Sequence, residues 1–501
     1  MTETAHVRID LDRCAGTVDR RIFGAFVEHL GRCIYGGVYE PGSPHSDARG
    51  FRLDVLDAAR ALRVPVLRWP GGNFVSGYHW VDGVGPVDGR PRRLEIAWHA
   101  EEPNTFGTDE FVAYCSELGA EPYICLNMGT GTIDEARAWV EYCNGRGDTH
   151  WANLRRANGH PEPYGVRYWG LGNEMYGEWQ IGSLTADEYV REARRWVNAL
   201  RRTDPSIELV SCGRDGWSEW DRTVIDGLVS HVDHHSIHIY TGSPDYWSNV
   251  LAPHQAERAL RTCRALLDRA RYLRRVERDV GIVYDEWNVW FRERGEHGGL
   301  EERYTLADAL AVATYLNVFV RQCASLRMAN LAQLVNVIAP IVTGPGGVLL
   351  QSIYHPLRLC AQHVRSVALD PLVLCPKVAH TDPPGDPWPH RVADLGPFAL
   401  LDVAATRDEA ATVLVVTVVN RSLEAVATVL EVGPAAAAGP TWHLVHGASP
   451  EATNTFDDPD AVSVRTSPVS SEGGRVELVL PAHSFSLLEV PLTPPTGPAA
   501  A

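Results

Sequence analysis

Between about residue 18 and residue 340 the chain repeats one pattern, a short apolar run followed by a longer amphipathic stretch. The apolar runs are Ile22–Glu28, Val64–Trp69, Pro122–Asn127, Val166–Glu174, Leu209–Arg214, His234–Tyr240, Gly281–Glu286 and Met328–Val335. Amphipathic segments such as Asp109–Leu118, Ile133–Cys143, Ala186–Arg202, His254–Arg271 and Leu306–Cys323 lie between them. Strands without a polar face are buried on both sides, as in a parallel sheet covered by helices. Eight such units in roughly three hundred residues predict an α/β fold, a (β/α)8 TIM barrel. The competitor, a doubly wound open sheet, usually carries a glycine-rich phosphate loop after its first strand, and none follows Glu28.

After about residue 370 the texture changes. A Pro-rich stretch, Asp382–Pro389, leads into alternating runs at Ala411–Val419, Ala425–Val432, Val462–Thr466, Arg475–Leu480 and Ser484–Val490. Alternation broken by Gly, Pro, Asp and Asn predicts a C-terminal antiparallel β-sandwich, jelly-roll-like in outline. The opening segment Thr4–Leu11 alternates in the same way and is expected to add a strand there. The expected domains are therefore a barrel over 18–370 and a sandwich over 1–17 and 371–501. The Pro/Ala/Gly-rich tail from Pro494 to Ala501 reads as frayed.

Composition excludes several classes of function. With 501 residues, 45% hydrophobic and 22% charged, the chain has the makings of a large core. A net charge of −17 argues against nucleic-acid and anionic-membrane partners, which select a basic face. Neither a signal-type apolar region in Met1–Leu11 nor a run of eighteen apolar residues occurs. The ten cysteines are scattered without C-x-x-C spacing, as expected of free core thiols in a reducing compartment. These features predict a cytoplasmic protein.

Barrel chemistry comes from the C-terminal ends of the strands and the loops that follow. Here those ends are polar in nearly every case: Glu28-His29, Arg68-Trp69-Pro70-Gly71-Gly72-Asn73, Asn127, Asn173-Glu174, His238-Ile239-Tyr240 and Asp285-Glu286-Trp287-Asn288. Arg68 and Glu286 end strongly apolar runs, where an unused charge is costly. Glu174 and Glu286, on strands four and seven, face each other obliquely across the mouth. Two carboxyls at the ~5–5.5 Å of retaining enzymes suffice for glycoside hydrolysis. Glu286 would attack the anomeric carbon, and Glu174 would serve as acid and then as base. Tyr240 is placed to orient Glu286, and Asn173 to meet the sugar 2-hydroxyl. Strand alternation turns Asp285 to the opposite face, as a structural partner.

Other groups have blander readings. His29, His79 and His238 lack metal-binding spacing and read as hydrogen-bonding histidines rather than a metal set. Trp69, Trp98, Trp287 and Trp290 are either core residues or platforms for the apolar faces of a sugar. Gly71-Gly72 is a tight turn, or a turn that brings backbone close to a ligand.

Three motifs then resemble the α-L-arabinofuranosidases of glycoside hydrolase family 51: Arg68-Trp69-Pro70-Gly71-Gly72-Asn73-Phe74, Gly172-Asn173-Glu174-Met175 and Asp285-Glu286-Trp287-Asn288-Val289-Trp290. Phe26–Arg32, Asn104–Phe111 and Leu334–Pro340 extend the likeness over nearly the whole chain. The resemblance implies Glu174 as acid/base and Glu286 as nucleophile. It further implies Glu28, Arg68, Asn73, Asn173, Tyr240 and Gln351 as ligands of the furanose hydroxyls. His238 would support the nucleophile strand, and Trp98 and Trp290 would shape the sugar's surroundings. It also implies action without metal or organic cofactor, and a homo-oligomer, often a hexamer.

The sequence departs from that family at Tyr176-Gly177-Glu178, at Gly346–Leu350 before Gln351, and at Thr241, positions expected near the pocket rim. The expected activity is retaining exo-hydrolysis of terminal non-reducing α-L-arabinofuranosyl groups from a furanose-containing oligosaccharide or glycoside. β-D-Galactofuranosidase action on the same scaffold is the alternative, ahead of an endoglucanase or a non-catalytic sugar-binding protein.

Overall fold

The computed structural model describes residues 4–290, 300–385, 391–433, 436 and 439–493, so the tail from 494 to 501 lies outside the described residues. Eight parallel strands close into a barrel in chain order. They are β1 (Gly24–Phe26), β2 (Val66–Trp69), β3 (Glu121–Leu126), β4 (Tyr168–Leu171), β5 (Glu208–Ser211), β6 (His234–Thr241), β7 (Gly281–Val289) and β8 (Leu326–Ala332). Each coincides with one of the eight apolar runs, and β2, β4 and β7 are buried at every position.

The outer helices follow from local chemistry. In Ala186–Thr203 a capping box joins Thr185 and Glu188, and Tyr189, Val190, Ala193, Trp196, Val197 and Leu200 form the buried stripe. Leu306–Arg321 differs, since it is buried on nearly every side. A helix apolar all round needs cover all round. The sandwich supplies it: Asn317 donates to Asp402 Oδ1 at 2.8 Å and Arg321 to the same oxygen at 3.0 Å.

The second unit is a sandwich of a four-stranded and a seven-stranded sheet. Its core draws Val7, Leu430 and Val476 from the smaller sheet and Val403, Val416 and Leu488 from the larger. The opening segment joins it as expected, with Ala5–Arg8 lying between Leu372–Leu374 and Val426–Glu431. The border drawn at 370 cuts the unit late, because Val367–Leu369 pairs with Cys14–Thr17 and Leu401–Arg407 in the larger sheet.

One sandwich loop reaches the barrel mouth. Leu306 and Ala307 N–H groups donate to Ala452 and Pro450 carbonyls at 2.8 and 2.9 Å. Thr453 Oγ1 donates to the Tyr304 carbonyl at 2.7 Å, and Asn454 to the Leu350 carbonyl at 3.0 Å. Tyr304 in turn donates its hydroxyl to the carbonyls of Val289, at the end of β7, and Ile338, at 2.9 and 3.1 Å.

Candidate active site

The site begins with an irregularity in β7. Against β6, Ile237 pairs with Tyr284 but His238 pairs with Glu286, so Asp285 is an extra residue. Tyr284 and Trp287 both pack outward on the covering helix, with ring centroids 5.3 and 5.0 Å from Phe319. Between them the bulge turns two consecutive carboxylates inward. Asp285 accepts from Tyr123 Oη at 2.9 Å and from Asn330 Nδ2 at 3.0 Å. The sequence places Asp285 on the opposite face; the bulge overturns that, although Asp285 is a structural partner as expected.

Arg68, on β2, is fully buried and organises the floor. It donates Nη1 to Glu286 Oε1 and Nη2 to Asn173 Oδ1, each at 2.7 Å. Its Nε lies 3.5 Å from Asp285 Oδ2, and its guanidinium sits 4.6 Å over the Phe26 ring. Burial pushes the Asp285 carboxyl up, but Arg68 and His238 outweigh it and hold it below the usual range. Tyr240 Oη donates to the other oxygen of Glu286 at 2.7 Å. Both oxygens of Glu286 are therefore held by donors.

Glu174 is held differently. It follows β4 in a loop with φ of +43°, a left-handed conformation that costs a non-glycine residue of order 1 kcal/mol. Its Oε1 lies 3.0 Å from His238 Nδ1 and accepts from Tyr176 Oη at 3.1 Å. Its Oε2 accepts from Trp179 Nε1 at 3.1 Å, although Trp179 is 62% exposed. Burial alone would raise the Glu174 carboxyl, but the hydrogen bond and charge of His238, with help from Trp179 and Tyr176, bring it below its usual range. For His238 the balance runs the other way. Burial opposes its charge, while Glu286, Asp285 and Glu174 together push it up to about 10.

Glu28 forms a third corner. Its Oε1 accepts from Phe74 N at 3.1 Å and Trp98 Nε1 at 3.0 Å, and its Oε2 from Gln333 Nε2 at 3.2 Å. Burial, with the Glu286 charge adding to it, raises this carboxyl to about 7 despite those donors and Arg68. The Gly71-Gly72 turn explains how the corner closes. A Cβ on Gly71 would meet Glu28 Cγ at 2.7 Å, and one on Gly72 would meet Glu286 Oε1 at 3.3 Å. The glycines are thus needed for close approach to carboxylates already in the site.

The structure brings together ten of the eleven expected site residues. Asn73 contacts Asn173 at 3.5 Å, and Trp290, 40% exposed, stands edge-on to Tyr240 at 5.5 Å. Gln351 is the exception. Its amide accepts from Tyr304 N and donates to the carbonyls of Glu302 and Ala339, at 3.0, 2.9 and 2.8 Å. All its hydrogen-bonding capacity visible here goes to backbone, so it supports the mouth rather than facing it. Thr241 also leaves the rim: it is buried, and its hydroxyl accepts from Tyr315 Oη at 2.9 Å on the helix side. Tyr176 lies closer to the chemistry than expected, on Glu174 itself.

The sequence reading passed over Gln333 and Trp179 as ligands of the key carboxylates. A tryptophan five residues past Glu174 was a usable signal; Gln333 offered none. His29, His79 and His238 do not converge, since each bonds its own carboxylate, at Glu102, Glu135 and Glu174. One oxygen each of Glu174 and Glu286 and one nitrogen of His238 lie within 4.8 Å of one another, a span that metal ligands also show. The carboxylates around His238 favour its protonated, donating form.

Two carboxylates facing each other across a barrel mouth, one buried on Arg68 and one half-buried on His238, can divide nucleophile and proton carrier between them. Comparison with known proteins agrees. Residues 58–258 match the model of the α-L-arabinofuranosidase 1 domain, and residues 285–484 that of the α-L-arabinofuranosidase C-terminal domain. A probable α-L-arabinofuranosidase C of Aspergillus terreus is 44% identical, with 97% of each chain covered. The chain belongs to the family 51 α-L-arabinofuranosidases.

It is accordingly a glycoside hydrolase. An intracellular exo-α-(1→5)-L-arabinofuranosidase of Halalkalibacterium halodurans is 41% identical over 76% of this chain and 80% of its own. The α-L-arabinofuranosidase of Thermotoga maritima, solved as an arabinose complex, superimposes with a TM-score of 0.89 at 40% identity, covering 97% of this chain and all of that one. A bifunctional glucanase-xylanase shares the fold alone, at 14% identity and a TM-score of 0.61. Among the described residues no helix is long and apolar enough to cross a membrane.

Proposed function

We propose that the protein releases terminal non-reducing α-L-arabinofuranosyl groups from short glycosides, with retention of configuration. The observation that carries the reading is the separation of Glu174 and Glu286, whose nearest usable oxygens lie within 4.8 Å. That fits the ~5–5.5 Å between carboxyls of retaining enzymes and leaves no room for the interposed water of an inverting one. Glu286 attacks the anomeric carbon as Glu174 protonates the departing glycosidic oxygen, giving a glycosyl ester and a free alcohol. Glu174, now a carboxylate, takes a proton from water; the resulting hydroxide equivalent displaces Glu286 and restores both groups.

The first proton is carried by the Glu174–His238 pair rather than by either residue alone, since their separation is one hydrogen bond. Movement of that proton from Nδ1 to Oε1 arms the acid without drawing on solvent. Arg68 and Tyr240 hold both oxygens of Glu286 and keep it aligned until attack. Glu28, Asn73 and Asn173 are the groups assigned to the ring hydroxyls, and Trp98 and Trp290 to the sugar's surroundings.

The relatives' names favour arabinofuranose over galactofuranose. The Halalkalibacterium relative supports an intracellular setting and α-(1→5)-linked oligosaccharides as substrates. We assign the chain the same setting, acting as a homo-oligomer. Nitrophenyl α-L-arabinofuranoside should be turned over far faster than nitrophenyl β-D-galactofuranoside, and proton NMR of the first-formed sugar should show the retained anomer. An inverted first product would overturn the double displacement.

A further inference from the structure

A second cluster of side chains of metal-ligand type lies outside the glutamate site, where the last barrel helix, Tyr354–His363, meets the seven-stranded sheet. His443 and Glu489 sit on paired strands, Thr441–Gly447 and Ser484–Pro491, where Thr441 stands opposite Glu489 and His443 opposite Leu487. Alternation along the pleat therefore gives His443 and Glu489 the same face. His363, at the end of the helix, completes the group. One ring nitrogen from each histidine and one carboxylate oxygen lie within 4.8 Å of one another.

Glu489 is held mainly through one oxygen, and the other points toward His443. His363 Nδ1 is 3.0 Å from Glu489 Oε1, and Arg365 Nη2 is also 3.0 Å from that oxygen. The other oxygen, Oε2, faces His443 Nε2 at 3.7 Å. His443 Nδ1 is 3.0 Å from the Thr466 hydroxyl, which fixes the ring. The ring so held turns Nε2 toward Glu489. That nitrogen is buried and has no hydrogen-bond partner. A ring nitrogen and a carboxylate oxygen at this separation, with His363 beside them, can converge on one cation.

We propose that His363 Nδ1, His443 Nε2 and Glu489 Oε2 bind one divalent transition-metal ion of the zinc class, with water completing the tetrahedron. Two imidazoles and a carboxylate are ordinary zinc ligands, at ~2.0–2.2 Å each, reached from the observed positions by small ring rotations. His363 gives the metal the Nδ1 lone pair of a neutral ring, which keeps its proton on Nε2. Thr466 plays the outer partner that orients a ligating histidine, and Arg365 keeps Oε1 occupied so that the carboxylate binds through a single oxygen. The ion ties the last barrel helix to the sandwich and takes no part in glycoside chemistry.

Chelator-treated full-length protein titrated with Zn2+ in a calorimeter should bind one ion per chain and melt at higher temperature with it. Loading with Co2+ should give the visible absorption of a tetrahedral nitrogen–oxygen site. His443→Ala should abolish the bound ion and the absorption while leaving turnover of nitrophenyl arabinofuranoside unchanged. Thr466→Val, which keeps all three ligands, should bind about 10-fold more weakly. Absence of stoichiometric binding, or undiminished binding by folded, active His443→Ala protein, would overturn the proposal.

Discussion

Glu286 and Glu174 occupy opposite walls of one site, yet their surroundings differ in kind. Glu286 lies on a buried strand, with both oxygens held by Arg68 and Tyr240. Glu174 lies in a loop with a left-handed backbone, held by His238 and by two aromatic donors, one of them largely exposed. An arginine does not titrate in the working range, so it fixes the charge of its partner. A histidine does, so it shares a proton with its partner. The contrast teaches that the division of labour between two identical side chains is written in the cations beside them.

That contrast can be broken most directly at the carboxylates. Glu286→Ala should lower kcat by at least about 10^4-fold on every arabinofuranoside, as expected for a covalent nucleophile. Glu174→Ala should cost about 10^2–10^4-fold on alkyl glycosides, the range for general acid catalysis, but much less for release of nitrophenolate, which needs no proton. Equal losses on both leaving groups would mean that Glu174 is not the acid.

Arg68→Met tests the fixed charge. It leaves Asp285 and Glu286 buried without their guanidinium, and removing one partner of a buried pair costs about 3–5 kcal/mol. Urea midpoints should show this near neutral pH, and the loss should shrink in acid as Asp285, held low by Arg68 in the native protein, protonates.

His238 tests the shared charge. Its pKa rises from 6.5 in the unfolded chain to about 10 in the fold, so its stabilisation is complete below about pH 6.5 and lost as pH climbs toward 10. Unfolding free energy should therefore fall across that window in the native protein, and the fall should flatten in His238→Gln. A smaller effect is expected at the rim. Trp179→Phe removes one donor from Glu174 and should cost about 1 kcal/mol in transition-state stabilisation, roughly fivefold in kcat/KM.

The eight strands were legible because a strand buried on both faces needs an unbroken apolar run, and few other structures do. Helices Leu53–Ala61, His150–Ala157 and Glu219–Leu228 escaped notice, being short and rich in alanine or charge. Strand Thr441–Gly447 escaped because its two histidines mask its alternation. Within the site, residue types at strand ends were legible, but the inward turn of Asp285 was not. It depends on a register slip between β6 and β7, a property of the pairing and not of either strand. Gln351 failed for a related reason: whether an amide faces a ligand or its own backbone depends on carbonyls 12 and 49 residues away.

The loop from Pro450 to Asn454 carries a consequence for how such a chain can be recombined. Through Thr453 and Tyr304 it props the strand end just beyond the nucleophile. The two units are thus unequal partners in any graft. A foreign sandwich of the same outline, fused near residue 366 but lacking that loop, would leave Tyr304 without its brace. Such a chimera should fold and bind sugar yet hydrolyse it slowly, and restoring the five-residue loop should return the rate. Domain shuffling in this architecture is limited less by the seam between the units than by one finger that crosses it.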